Sequence, residues 1–186
     1  MYVLGLDVST SCTGYCLMYV EPSQRTSVKE IGYILISKDK DPYVKAQKVR
    51  SLLSNLSEKY QIDKVFIEEN LQAFRTGFSS AKTLVTLARF NGVVSYICQE
   101  VLETEPKFLN VNSARKDLGL KIKRKKDGGA PTKEQVLAWV KNEDRTITWP
   151  NKILKSGPNK GKEIIHPSAY DMADAYVICQ AGILNI

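Results

Sequence analysis

The segment Tyr2-Val-Leu-Gly-Leu-Asp7-Val-Ser9 constrains this chain more than any other. It reads as an apolar core strand with one carboxylate set into its far end. An ionised carboxylate buried without a partner costs several kcal/mol or more, so Asp7 calls for a counter-charge, hydrogen bonds or a metal ion. The rest of the chain has to supply that partner.

Read in order, the sequence continues as a meander. Gly14 to Val20 is rich in β-formers, Val28 to Ser37 gives a third strand, and polar turns separate them. Pro42 opens a helix to about Tyr60, with Ala46, Val49, Leu52, Leu53 and Leu56 at helical spacing. Asp63 to Asn70 is a short apolar strand that ends in acids, as the first one does. A long helix follows from Ser79 to about Glu103, in which Gly92 predicts a close approach by a neighbour. Lys107 to Val111 is a fifth strand, and Ser113 is the expected cap of a short helix to about Leu118. Thr132 and Glu134-Gln135 mark another helix start. Asn142 to Pro167 has no helical period; Thr146 to Trp149 and Glu163 to His166 could pair as a hairpin around Lys155 to Gly161. Ser168 to about Ile183 closes the chain as an amphipathic helix. The expected fold is therefore α/β, a mixed five-stranded sheet in which an antiparallel β1-β2-β3 meander is joined by parallel β4 and β5, with helices on its faces. The length of 186 residues predicts a single domain, with a basic loop at 119–133 and an irregular insertion at 142–167.

Charge narrows the partner. The 27 Lys and Arg exceed the 20 Asp and Glu, for a net charge of +7, which favours a polyanion. Six of the cations, Lys121, Lys123, Arg124, Lys125, Lys126 and Lys133, fall within thirteen residues beside Gly-Gly and Pro. No apolar run approaches a membrane span and the N-terminus lacks a signal-peptide pattern, so the expectation is a cytoplasmic protein with no membrane partner. Cys12, Cys16, Cys98 and Cys179 form neither a CxxC pair nor a Cys/His cluster, which disfavours structural zinc, and all four are read as reduced.

The acids fall in three places: Asp7 at one strand end, Glu68 and Glu69 at another, and Asp171 with Asp174 one helical turn apart. If the two strands are neighbours and the last helix crosses them, these carboxylates converge. Three or four carboxylates without a histidine suit hard cations, Mg²⁺ or Mn²⁺. Two such ions about 3.5–4 Å apart can make water nucleophilic and stabilise the leaving oxygen of a phosphodiester. Acids clustered on a basic protein make sense if metal bridges acid to phosphate.

Leu-Gly-Leu-Asp7-Val-Ser followed by Thr13-Gly14-Tyr15, then Phe-Ile-Glu68-Glu, then Ala-Tyr-Asp171-Met-Ala-Asp174-Ala resembles the RuvC family of Holliday junction resolvases, which have the RNase H (retroviral integrase) fold. The resemblance covers most of the chain, including Ser113-Ala-Arg-Lys116. It implies that Asp7, Glu68, Asp171 and Asp174 are the metal-binding catalytic acids, holding two Mg²⁺ or Mn²⁺ ions. It also implies a homodimer that nicks symmetrically related strands of a four-way junction, with Lys116 and Lys133 as basic residues near the active site. Whether Glu69 or His166 assists the metal stays open. In bacterial members an aromatic three residues after the catalytic Glu holds the junction open; here that position is Leu71, and Phe74, beside Arg75, is the candidate wedge and DNA contact, with Phe78 further on. The long basic segment and the 142–167 segment are similar to a phage or viral branch of the family.

Three other readings compete. A broader branched-DNA nuclease or a ribonuclease H would share acids and metals. A non-catalytic module could bind branched DNA without cutting it. Asp7-Val-Ser-Thr-Ser-Cys-Thr-Gly14 also resembles the first phosphate loop of the actin-like ATPases, but that fold needs a second lobe for which this chain is short, and no nucleotide cofactor is expected.

Overall fold

A computed structural model describes residues 1–69 and 81–186. Leu71, Phe74, Arg75 and Phe78, and with them the expected wedge, lie outside the described residues, as do Asn70 and Ser79.

Three antiparallel strands, β1 (Tyr2–Val8), β2 (Cys12–Val20) and β3 (Thr26–Leu35), form the meander. After helix α1 (Pro42–Ser57), strand β4 (Ile62–Glu68) returns parallel to β1, and after helix α2 (Ala81–Leu102), β5 (Lys107–Leu109) adds in parallel outside it. The sheet order is β3-β2-β1-β4-β5, so β1 is central. Helices α3 (Val111–Asp117), α4 (Thr132–Glu143) and α5 (Ser168–Leu184) complete the chain, with a two-stranded hairpin of β6 (Asn151–Ile153) and β7 (Glu163–Ile165) between the last two.

Strand alternation assigns each side chain of β1 to a layer. Leu4, Leu6 and Val8 join Leu17, Val65 and Ile67 beneath α1 and α2, where Val49, Leu53, Phe90 and Val94 meet them. Val3 faces the other way and packs with Cys16, Met18 and Phe66 against α3, α4 and α5. Asp7 has the parity of Val3, so it faces α5. Burial on both sides explains why β1 is apolar almost throughout.

Helix α5 lies close on the sheet because glycines stand where it crosses. A Cβ at Gly5 would come within 2.5 Å of the Ala175 carbonyl oxygen, and one at Gly14 within 2.1 Å of the Asp171 carbonyl oxygen. Gly92, expected to mark a close approach, has nothing within 4 Å of its Cβ position, because it lies on the exposed side of α2. Core packing therefore does not explain that glycine.

Several local expectations are corrected. The cap of α3 is Asn110, not Ser113: its side chain accepts from the backbone N–H groups of Asn112 and Ser113. The first hairpin strand is 151–153, not 146–149. The Asp144 carboxylate accepts from the N–H and the hydroxyl of Thr146, committing that stretch to a turn, and pairing starts only beyond Pro150. Helix α5 is buried nearly all round rather than amphipathic, since α3 and α4 cover the side away from the sheet.

Candidate active site

Asp7 enters the site from the end of β1 and Glu68 from the end of β4. The parallel register pairs Leu6 with Ile67, and carried one residue further it sets Asp7 abreast of Glu68. Asp7 is also opposite Gly14 of β2, and at Gly14 the backbone of Asp171 touches down on the sheet. Asp174 follows one turn along α5. The packing of α5 over two glycine-bearing strands is thus what brings acids from three elements together.

Each of these acids is raised by burial, and all but Asp174 also by the negative charge of its neighbours. Burial pushes the Asp7 carboxyl well above the usual aspartate range, and the negative charges of Glu68, Asp174 and Asp171 push it further, while Arg115 opposes them. Glu68 is pushed up to about 7, chiefly by burial and then by Asp174, with Arg115 opposing. Asp174 is raised by burial and held back by Arg115. Asp171 is raised by burial and by Asp174, against hydrogen bonding from Cys12 and the positive charge of Lys133.

Arg115 is the residue that sequence reasoning passed over. From α3 its guanidinium donates to the Asp174 carboxylate at 2.9 Å, with both side chains largely buried, 15% and 17% exposed. Lys116, the neighbour, is exposed. Lys133 is placed at the rim, its ammonium 4.6 Å from the centre of the Tyr170 ring, immediately before Asp171. Asn91 was also missed: 2% exposed on α2, it donates through Nδ2 to the main-chain carbonyl of Glu68 at 3.4 Å. A polar residue among the apolar positions of a helix was the available signal for it.

The basic segment is exposed but held. Gln135 of α4 accepts from the Lys123 N–H at 2.9 Å and donates to the carbonyls of Lys123 and Ala130. Lys125–Asp127 form a 3-10 turn, and Lys121, Lys123, Arg124, Lys125 and Lys126 all face solvent. His166 engages Ser168 and Tyr33. Its Nδ1 is 2.7 Å from the Ser168 hydroxyl and its ring stacks on Tyr33 at 5.6 Å. The turn after β1 is closed upon itself: the Ser9 hydroxyl accepts from the N–H groups of Ser11 and Cys12 and donates to the Cys12 carbonyl, which leaves those N–H groups engaged rather than aimed at a phosphate. All four cysteines are free thiols.

Among the described residues, no three His, Cys, Asp or Glu side chains already form a closed ligand set for a metal. The donor chemistry fits a hard divalent cation even so. Among the four carboxylates, repulsion raises the proton affinity of Asp7, Glu68 and Asp171, with Arg115 opposing at Asp7, Glu68 and Asp174 and Lys133 opposing at Asp171.

The architecture defines a class, the RNase H-like α/β fold. Within it, the fold is that of RuvC-like resolvases. The chain is similar to RuvC of Thermus thermophilus in complex with Holliday junction substrate (15% identity, TM-score 0.67, 100% of this chain and 95% of that one). It is similar to the yeast mitochondrial Holliday junction resolvase Ydc2 (15%, 0.60, 97% and 77%) and to the fowlpox virus resolvase in complex with substrate Holliday junction DNA (14%, 0.52, 100% and 98%). No family model matches the sequence, and no curated protein matches it. No helix among the described residues is long and apolar enough to cross a membrane.

Proposed function

We propose that this protein is a metal-dependent endonuclease that resolves four-way DNA junctions by nicking phosphodiesters. The observation that carries the reading is the convergence of Asp7, Glu68, Asp171 and Asp174 from three elements at the ends of β1 and β4. Solved structures of the same fold hold Holliday junction DNA, which supports the choice of substrate.

Asp7, Glu68, Asp171 and Asp174 would hold two Mg²⁺ or Mn²⁺ ions. Such ions, when bound, supply activation of the attacking water and charge stabilisation at the leaving oxygen. The protein's own contribution is positional. Gly5 and Gly14 let α5 set Asp171 and Asp174 against Asp7, and Asn91 fixes the main chain at Glu68. Arg115 orients Asp174 and offsets the repulsion among the acids. Lys133 and the cations of 121–126 hold the phosphate backbone near the site, contacts that position DNA without reading its sequence. Lys116, exposed one residue from Arg115, serves as a further phosphate contact.

A homodimer would give two sites for two strands. The face of α2 that carries Gly92 also exposes Val85, Val93 and Tyr96, the last at 65%, as a stripe at helical spacing, and this supports a second copy there. Sedimentation of wild type and Tyr96→Glu tests it, the variant shifting to monomer.

The test of function is a substrate panel with Mg²⁺ and with Mn²⁺: a mobile four-way junction, a flap, linear duplex and an RNA–DNA hybrid. Preferred cutting of the junction is expected. Preferred cutting of the hybrid would assign a ribonuclease H instead, and binding without cutting a non-catalytic module.

A further inference from the structure

The basic segment 121–133 is not the only run of positive charge in the second half of the chain. A second belongs to the β6–β7 hairpin. Between Asn151 and Ile165 it carries Lys152, Lys155, Lys160 and Lys162 against one acid, Glu163. None of these lysines is in an ion pair among the described residues, whose pairs involve Lys48, Arg50, Lys59 and Arg115.

We infer that the β6–β7 hairpin is a second DNA-contacting element, a preformed ribbon whose four lysines hold the phosphate backbone of a duplex arm on the β3 side of the acids. The inference rests on the nuclease reading above and extends it to a contact outside the basic segment.

Location is the first argument. The ribbon leads directly through His166 into α5, and the His166 ring stacks on Tyr33 of β3. Tyr33 pairs with Gly14, which pairs with Asp7, so the ribbon's base is two strand spacings, about 10 Å, from the catalytic side of β1. Lys133 stands over Tyr170, beside Asp171. A phosphate backbone running from the acids toward β3 would therefore meet cations from both elements.

Rigidity is the second. Two three-residue strands are marginal alone, but this ribbon is braced. Its ladder continues beyond β6 through Leu154 N–H to the Lys162 carbonyl at 3.0 Å and Gly161 N–H to the Leu154 carbonyl at 2.8 Å. Gly157 and Gly161, with φ of 80° and 86°, take the left-handed conformations that the tip requires. At the base, His166 N–H donates to the Pro150 carbonyl at 2.8 Å, and Trp149 and Ile165 pack on the core. A braced frame prepays part of the ordering cost of binding.

Composition is the third. The ribbon offers lysines, Ser156, Asn159 and main-chain groups around one well-exposed apolar side chain, Ile153. That makeup suits phosphate and sugar contacts, whereas a protein interface would be built on buried aromatic anchors.

The experiment is binding of a fluorescein-labelled four-way junction in EDTA, across a salt series, by wild type and by a Lys152→Gln/Lys155→Gln/Lys160→Gln/Lys162→Gln variant. Each lost phosphate contact flattens the slope of log K against log salt by about 0.9, so the variant should lose up to about 3.6. A Lys123→Gln/Arg124→Gln/Lys125→Gln/Lys126→Gln variant serves as the comparison for the basic segment. A folded hairpin variant that keeps the wild-type slope overturns the inference while leaving the nuclease reading intact. Failure of the wild type to bind the junction overturns both. Should the variant not fold, amine-reactive labelling of the wild type decides: protection of Lys155 and Lys160 by the junction supports the ribbon contact, and equal labelling with and without DNA rejects it.

Discussion

Removing one negative charge from the acid cluster should stabilise the metal-free protein, and Glu68→Gln is the variant that shows it. Burial, followed by the charge of Asp174, raises the Glu68 carboxyl from 4.5 to about 7. A carboxyl whose folded value lies above its unfolded one binds its proton more tightly in the native state. Its contribution to stability is therefore complete below about 4.5 and is lost as pH rises through about 7. At 1.36 kcal/mol per pH unit the difference amounts to about 3 kcal/mol at pH 8, an upper value because the four acids share their repulsion. For a chain of this length that is about 6–12 °C in Tm. Thermal unfolding followed by circular dichroism in EDTA, from pH 5 to pH 8, measures it. Wild type should lose stability as pH rises, and Glu68→Gln should melt higher than wild type at pH 8 and nearly level with it at pH 5. Some dependence remains in the variant, since Asp7, Asp171 and Asp174 are raised as well. A wild-type Tm that is flat with pH, or a variant no more stable at pH 8, would refute the electrostatic description of the site.

Arg115→Ala leaves Asp174 without its ion pair, and should lower stability at pH 8 by about 1–3 kcal/mol in urea unfolding while Arg115→Lys restores part of the loss. Gly14→Ala places a methyl group against the Asp171 main chain; α5 must move, and single-turnover cleavage should fall by about 100-fold with junction binding retained. In the Tyr96→Glu background, where the α2 face is uncovered, Gly92→Ala meets open space and should raise stability by about 0.5–1 kcal/mol in thermal unfolding.

The strand that holds Asp7 was legible because an isolated acid in an apolar run is costly, and the three acid-bearing elements followed from strand-end and helical spacing. Arg115 was not. Two adjacent cations on α3 look alike in sequence, and only the helix phase set by Asn110, together with α5 lying alongside, selects Arg115 for Asp174. The glycines illustrate the same limit. Gly5 and Gly14 interrupt apolar strands, which is itself a sign of close backbone approach, yet Gly92 carried the expectation because the sequence does not state which face of a helix is covered. The hairpin shifted register because a local side-chain turn at Asp144 outcompeted strand propensity in Thr146-Ile-Thr-Trp149. Helix α5 looked one-sided until α4 was seen to pack over its outer face.

The most direct test of the account is cleavage of a four-way junction labelled in turn on each of its four strands, by wild type and by Asp7→Asn in Mg²⁺. The account predicts that wild type nicks two symmetrically opposed strands and that Asp7→Asn binds the junction with near wild-type affinity and cuts none. Cutting by Asp7→Asn at the wild-type rate would contradict it, as would a wild type that binds the junction and leaves every strand intact.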